Sequence, residues 1–197
     1  MKRWALLLLA LVLGGTAVAQ EDKITQDEPE PEGYGKALWG MSEAEVKGVV
    51  EGDHQAVEGG FAVETTVAGH PAGVMYGFTQ DKLTLVLVLF ADSHMEPNKY
   101  LADWQAISDL LTEKYGTPSD QEWVWLNDLF KDDPDQYGTA IAAEQLVVYR
   151  TWRTDQTEIE HSLQGKGFDV IHKILYTSRS HDQMREQEQK KKNLDGL

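Results

Sequence analysis

Ala62–Ala91 reads AVETTVAGHPAGVMYGFTQDKLTLVLVLFA, and this stretch decides the fold. It divides into three strand-like runs, Ala62–Val67, Ala72–Phe78 and Leu83–Ala91. Gly69-His70-Pro71 separates the first pair and Thr79-Gln80-Asp81-Lys82 the second. Short β-rich runs broken by Gly, Pro and Asp at hairpin spacing specify an antiparallel meander. The third run alternates least, which predicts a strand buried on both faces and central in its sheet.

Working outward, the segment before the meander carries a helix start. Ser42 can cap the free amides while Glu45 reaches back to it, with Met41 and Val46 at the staple positions. After the meander, Tyr100, Trp104, Ile107, Leu111 and Tyr115 recur at helical spacing, and Leu101 and Leu110 widen that face. Pro97 marks the entrance, and Gly116 and Pro118 mark the exit. Glu122–Leu126 then reads as a strand, Asn127–Gly138 as an acidic insertion, and Leu146–Thr154, Thr157–Leu163 and Phe168–Thr177 as three further strands. The order is helix, three strands, helix, four strands. It predicts an α+β fold in which helices pack on one face of an antiparallel meander sheet, with a helix-βββ unit used twice.

The ends differ from this middle. Lys2 and Arg3, the leucine-rich run Ala5–Leu13 and Ala17-Val18-Ala19 have the three parts of a secretory signal peptide, residues 1–19. The expected location is therefore the periplasm or the extracellular space. Residues 20–35 form an acidic linker containing Pro29 and Pro31, expected to be flexible. The α+β domain is expected over 36–178, and 179–197 is a polar tail, read as a frayed helix or a disordered end.

Composition excludes several activities. There is no cysteine, hence no disulfide, no thiol nucleophile and no acceptor for a lipid anchor. The formal charge is -15, and loss of Lys2 and Arg3 with the signal peptide makes it -17. Such a surface repels nucleic-acid phosphates and anionic lipid, and suits a basic partner. Neither a Gly-x-Ser-x-Gly elbow nor a phosphate loop or dinucleotide fingerprint is present. No pattern calls for a cofactor, and no residue is assigned a catalytic role.

Three short motifs carry a resemblance. Trp39-Gly40-Met41-Ser42 followed by Glu45-Val46, the helix exit Lys114-Tyr115-Gly116-Thr117-Pro118, and the late pair Trp152, Thr154, Thr157 and Ile159 resemble secreted bacterial proteins of unknown function. The similarity runs from about Lys36 to Ser178. The Gly-Met-Ser-x-x-x-Val start before a meander also resembles the helix-plus-sheet modules of the β-lactamase-inhibitor-like group, which includes envelope-assembly lipoproteins of Gram-negative bacteria. The resemblance implies an extracytoplasmic interaction module, although this chain lacks the lipid-accepting cysteine.

Three groups of residues are candidates for function. His161 and His172 fall on neighbouring strands, and a turn about Lys166 would set Glu160 opposite His172 as a general-base pair or half a metal site. Asp133, Asp135, Gly138 and Glu144 occupy positions one, three, six and twelve of a calcium loop, although Tyr137 and Ile141 stand where ligands belong. Trp123, Trp125 and Trp152 are either core residues or a platform for a partner. The function expected is non-enzymatic binding of another envelope protein or a peptide, with strand addition to a sheet edge as one mode. The alternatives are a hydrolase of an envelope polymer using paired carboxylates and a carrier with a cavity between sheet and helices.

Overall fold

The computed structural model describes residues 33–195 apart from 168. The expected signal peptide and most of the expected linker lie outside the described residues. The end of the linker does not: β1 (Gly33–Tyr34) pairs with β2 (Ala37–Leu38), and the Tyr34 ring packs on Tyr76 and Tyr176. An aromatic side chain with a pocket to fill overrides the acidic, Pro-rich sequence before it.

The elements that follow are α1 (Glu43–Val49), β3 (Gln55–Val57), β4 (Gly60–Val67), β5 (His70–Thr79), β6 (Lys82–Phe90), α2 (Asn98–Tyr115), β7 (Asp120–Trp125), α3 (Tyr137–Ala142), β8 (Leu146–Arg153), β9 (Thr157–Lys166), β10 (Asp169–Ser178) and α4 (Asp182–Asp195). Strands β3 to β10 form one antiparallel sheet in the order β3-β4-β5-β6-β10-β9-β8-β7. The class is α+β, and the arrangement is a helix followed by a four-stranded meander, used twice. The two meanders join through their last strands, β6 and β10. Among the described residues no helix is long and apolar enough to cross a membrane.

Local chemistry accounts for the boundaries. Ser42 and Glu45 form the expected capping box: the Glu45 amide donates to Ser42 Oγ and the Ser42 amide to Glu45 Oε2 at 2.8 Å. Replacing Ser42 with alanine should cost about 1 kcal/mol, read as a shift in the urea midpoint. The β4–β5 hairpin turns through Ala68-Gly69 and the β5–β6 hairpin through Gln80-Asp81, all four with positive φ. Two-residue turns of that hand match the twist of the strands they join.

Two elements escape the sequence pattern. Strand β3 is exposed at all three residues, so it has no alternation to read, and it exists by pairing with β4. Helix α3 lies at the end of the acidic insertion and buries Ala140 and Ile141 against Trp104, Leu146, Val148 and Leu163. Six residues that include Gly138 and two β-branched side chains are poor helix formers, and tertiary packing supplies the helix. A Cβ on Gly138 would meet the Pro97 carbonyl carbon at 2.3 Å, so α3 approaches the α2 entrance as only glycine permits.

One face of the sheet is covered. Val46 of α1 packs with Phe61, Val74, Val86 and Val88, while Ile107 and Leu111 of α2 pack with Trp152, Ile159, Ile174 and Tyr176. The motifs behind the resemblance fasten to one another beneath this layer. The Trp39 indole N–H donates to Thr157 Oγ1 at 2.8 Å, and the Trp152 indole N–H donates to the Gly116 carbonyl at 3.0 Å.

Candidate functional site

The expected burial of β6 on both faces is corrected by the structure. The strand is central, but only Leu83, Thr84, Val86 and Val88 are buried; Leu85 and Leu87 are half-buried, and Leu89 is 43% exposed. Helices α1, α2 and α3 lie on the other face, and α4 borders the open face at its Leu85 end, where Arg185 donates to the carbonyls of Thr84 and Ser178 and lines a cavity with Gly77, Leu85, Glu188 and Gln189. The uncovered face is apolar across three strands. Met75 of β5 pairs with Leu87 of β6, and Leu87 pairs with Leu175 of β10. Leu85 and Leu89 flank this row on β6. Toward β7 the same face turns polar: Glu160 meets Lys173 at 3.6 Å and Glu158 meets Arg153 at 2.6 Å. The open face thus carries an apolar patch beside charged residues.

The three tryptophans do not form one surface. Trp152 is 1% exposed, wedged in the core with its N–H satisfied. Trp123 and Trp125 share the covered face and are half-buried against Tyr137, with ring centroids 5.7 and 5.1 Å apart. The apolar exposure near them comes instead from Leu126 and Leu129, just past the β7 edge. A groove of about 450 Å³ lies between α2 and the sheet, lined by Tyr34, Val67, Ile107, Leu110, Ile174 and Tyr176, and its lining holds no carboxylate.

His161 and His172 meet, though not in the predicted register. Lys166 pairs with Asp169, so His172 lies opposite Leu163, and Glu160 opposite Leu175. An odd shift of three places puts Glu160 on the open face, away from either histidine. The histidines sit on a diagonal of the covered face with Nε2 to Nε2 at 2.7 Å and stacked rings. His161 Nδ1 is 2.9 Å from Ser108 Oγ, and the ring stacks on Trp104. Burial holds His161 well below the usual imidazole pKa, and His172 and Arg150 add to the effect. Burial brings His172 down to about 4, although Asp103 opposes the shift. Both rings are therefore neutral at pH 7 and share one proton across the short contact. Ser108 and His161 have no exposed surface, so this relay is closed to a substrate.

Toward the α2 entrance the chemistry opens to solvent. The His172 ring contacts Phe90, whose other neighbour is His70. His70 Nδ1 lies 3.0 Å from Asp92 Oδ2, and His94 Nε2 lies 2.6 Å from Asp103 Oδ2. The His94 backbone amide donates to Tyr100 Oη, and the two rings meet edge to face. His70, Asp92 and Asp103 come from β5, the loop after β6, and α2, so their convergence has no signature in linear spacing.

The Asp133–Glu144 segment is not a calcium loop. Asp133 caps a short 3-10 turn at Pro134–Gln136, Gly138 lies inside α3, and Glu144 Oε1 accepts the Gly167 amide. Consecutive helical turns point these groups in different directions. No family model matches the chain, and no curated protein or solved structure is similar enough to match it.

Proposed function

We propose that the protein is an exported, non-enzymatic binding module of the cell envelope that docks a partner protein on the open face of its sheet. The observation that carries this reading is the uncovered row Met75, Leu87 and Leu175, with exposed Leu89 beside it. Monomeric proteins rarely leave such a row without a partner. The net charge of -15 selects a partner with a basic rim around its own apolar patch. The central strands are hydrogen-bonded on both sides, so a partner meets the row face to face and strand addition is confined to the edges β3 and β7. The helix-plus-meander resemblance and the leader-like N-terminus supply the compartment in this reading.

Photocrosslinking in the exporting cell tests it. A p-benzoylphenylalanine in place of Leu89 should give a discrete adduct with a second protein, whereas the same group in place of exposed Lys99 on α2 gives none. No adduct at Leu89, the same adducts from both positions, or an adduct of twice the chain mass would each overturn the proposal. The last outcome would mean that the face pairs with a second copy.

A further inference from the structure

The open end of the histidine cluster has the geometry of a cation site, and this is independent of the docking face. The ligand atoms of His70, Asp92 and Asp103 all lie within 4.8 Å of one another. They come from three separate elements. His70 opens β5; Asp92 follows β6, brought beside it by the Ala91 amide donating to the Pro71 carbonyl at 2.8 Å; Asp103 stands in the second turn of α2. One short sequence run cannot produce this arrangement by chance clustering of acidic residues, and the acidic insertion at 127–135 does not produce it.

The chemistry of the set is specific. One imidazole nitrogen and two carboxylate oxygens suit a borderline divalent ion with bonds of about 2.0–2.2 Å. Two negative charges offset the charge of the ion, and all three side chains are half-buried, so solvent reaches the remaining positions. The support behind the ligands is that of a built site. His94 Nε2 bonds the Asp103 carboxylate at 2.6 Å, and Tyr100 holds His94 through its backbone amide and ring. Imidazoles that orient a ligating carboxylate raise affinity through the ligand they hold. We infer that His70, Asp92 and Asp103 form a binding site for one divalent transition-metal ion, of the Zn²⁺ class, which ties α2 to the β5–β6 end of the sheet.

Isothermal titration of the chelator-treated full chain with ZnCl₂ tests this directly, with CaCl₂ as the comparison. Binding of one Zn²⁺ per chain is expected, with a rise in Tm and with Ca²⁺ much weaker because oxygen-only ligation is not met. His70→Ala and Asp103→Asn should each weaken Zn²⁺ by about tenfold or more, and His94→Phe by about tenfold through loss of orientation alone. His54→Ala, outside the cluster, should leave the titration unchanged. Circular dichroism and metal-free Tm establish that each variant is folded. Absence of saturable binding, or equal affinity in wild type, His70→Ala and Asp103→Asn, overturns the site. Several weak equivalents that ignore all three substitutions mark adventitious binding to surface carboxylates and overturn it as well.

Discussion

Trp104→Ala should destabilise the protein by about 3–5 kcal/mol, the range for deleting a fully buried large aromatic side chain. Trp104 has no exposed surface and stands where α2 meets both halves of its own packing layer. Its ring stacks on His161, meets Trp123 edge to face with centroids 6.2 Å apart, and lies under the Arg150 guanidinium at 4.8 Å. Its indole N–H donates to the His161 carbonyl at 3.3 Å. Removing the ring opens a cavity, leaves that carbonyl short of a donor and strips the aromatic face from a half-buried guanidinium. Trp104→Phe should recover part of the loss, since the stacking remains and the N–H does not. Urea unfolding monitored by far-UV dichroism reads both. A cost below about 1 kcal/mol for the alanine variant would show that α3 and α2 close over the gap, and would remove Trp104 as the keystone of this layer.

The second expected result is acid sensitivity that begins above the carboxylate range. His172 is held near 4 in the fold, against about 6.5 for a free imidazole. Between those values the unfolded chain binds a proton that the native chain refuses, so stability falls as pH falls from about 6.5 to about 4. The span from 6.5 to about 4 makes His172 alone responsible for about 3 kcal/mol. His161 acts in the same direction. The groups facing the pair are Ser108 and Asp103 from α2, His70 from β5, His94 from the following loop and Arg150 from β8. Only Asp103 among them favours the charged form, and its effect is smaller than burial. Urea midpoints at pH 7.5, 6, 5 and 4.5 measure the slope. His172→Leu should flatten it, and an equal slope in wild type and variant would assign the loss elsewhere.

Residues that act through their neighbours in sequence were readable, and residues that act through packing were not. The capping box of Ser42 and Glu45, the stop at Gly116 and the Gln80-Asp81 turn are local devices, and each stands where the sequence puts it. Helix α2 is legible because its apolar stripe is long enough to outweigh everything else. The open face is different. Leu83–Phe90 is apolar at nearly every position, and nothing in that run says that a helix covers only alternate residues. The histidine register failed for a related reason: a strand slip is set by the turn between Lys166 and Asp169, and an error of three places there turns Glu160 to the wrong face. The cation site was invisible in sequence because its three ligands are brought together by β5, β6 and α2 from 34 positions of chain, counted from His70 to Asp103.

The join between the two meanders has a kinetic consequence. Every other strand pairing in the main sheet links neighbours in sequence, but Val88 pairs with Ile174 across 86 positions. Hairpins form in microseconds, and a closure of this length carries the largest loop entropy among the strand pairings of the main sheet. The β6–β10 seam should therefore zip late, after each half has taken shape. The contact between Leu87 and Leu175 spans that seam, and so does the contact between Phe90 and His172. The apolar row of Met75, Leu87 and Leu175 should thus be completed at the last step of folding, and a chain that has closed only one half would not carry it.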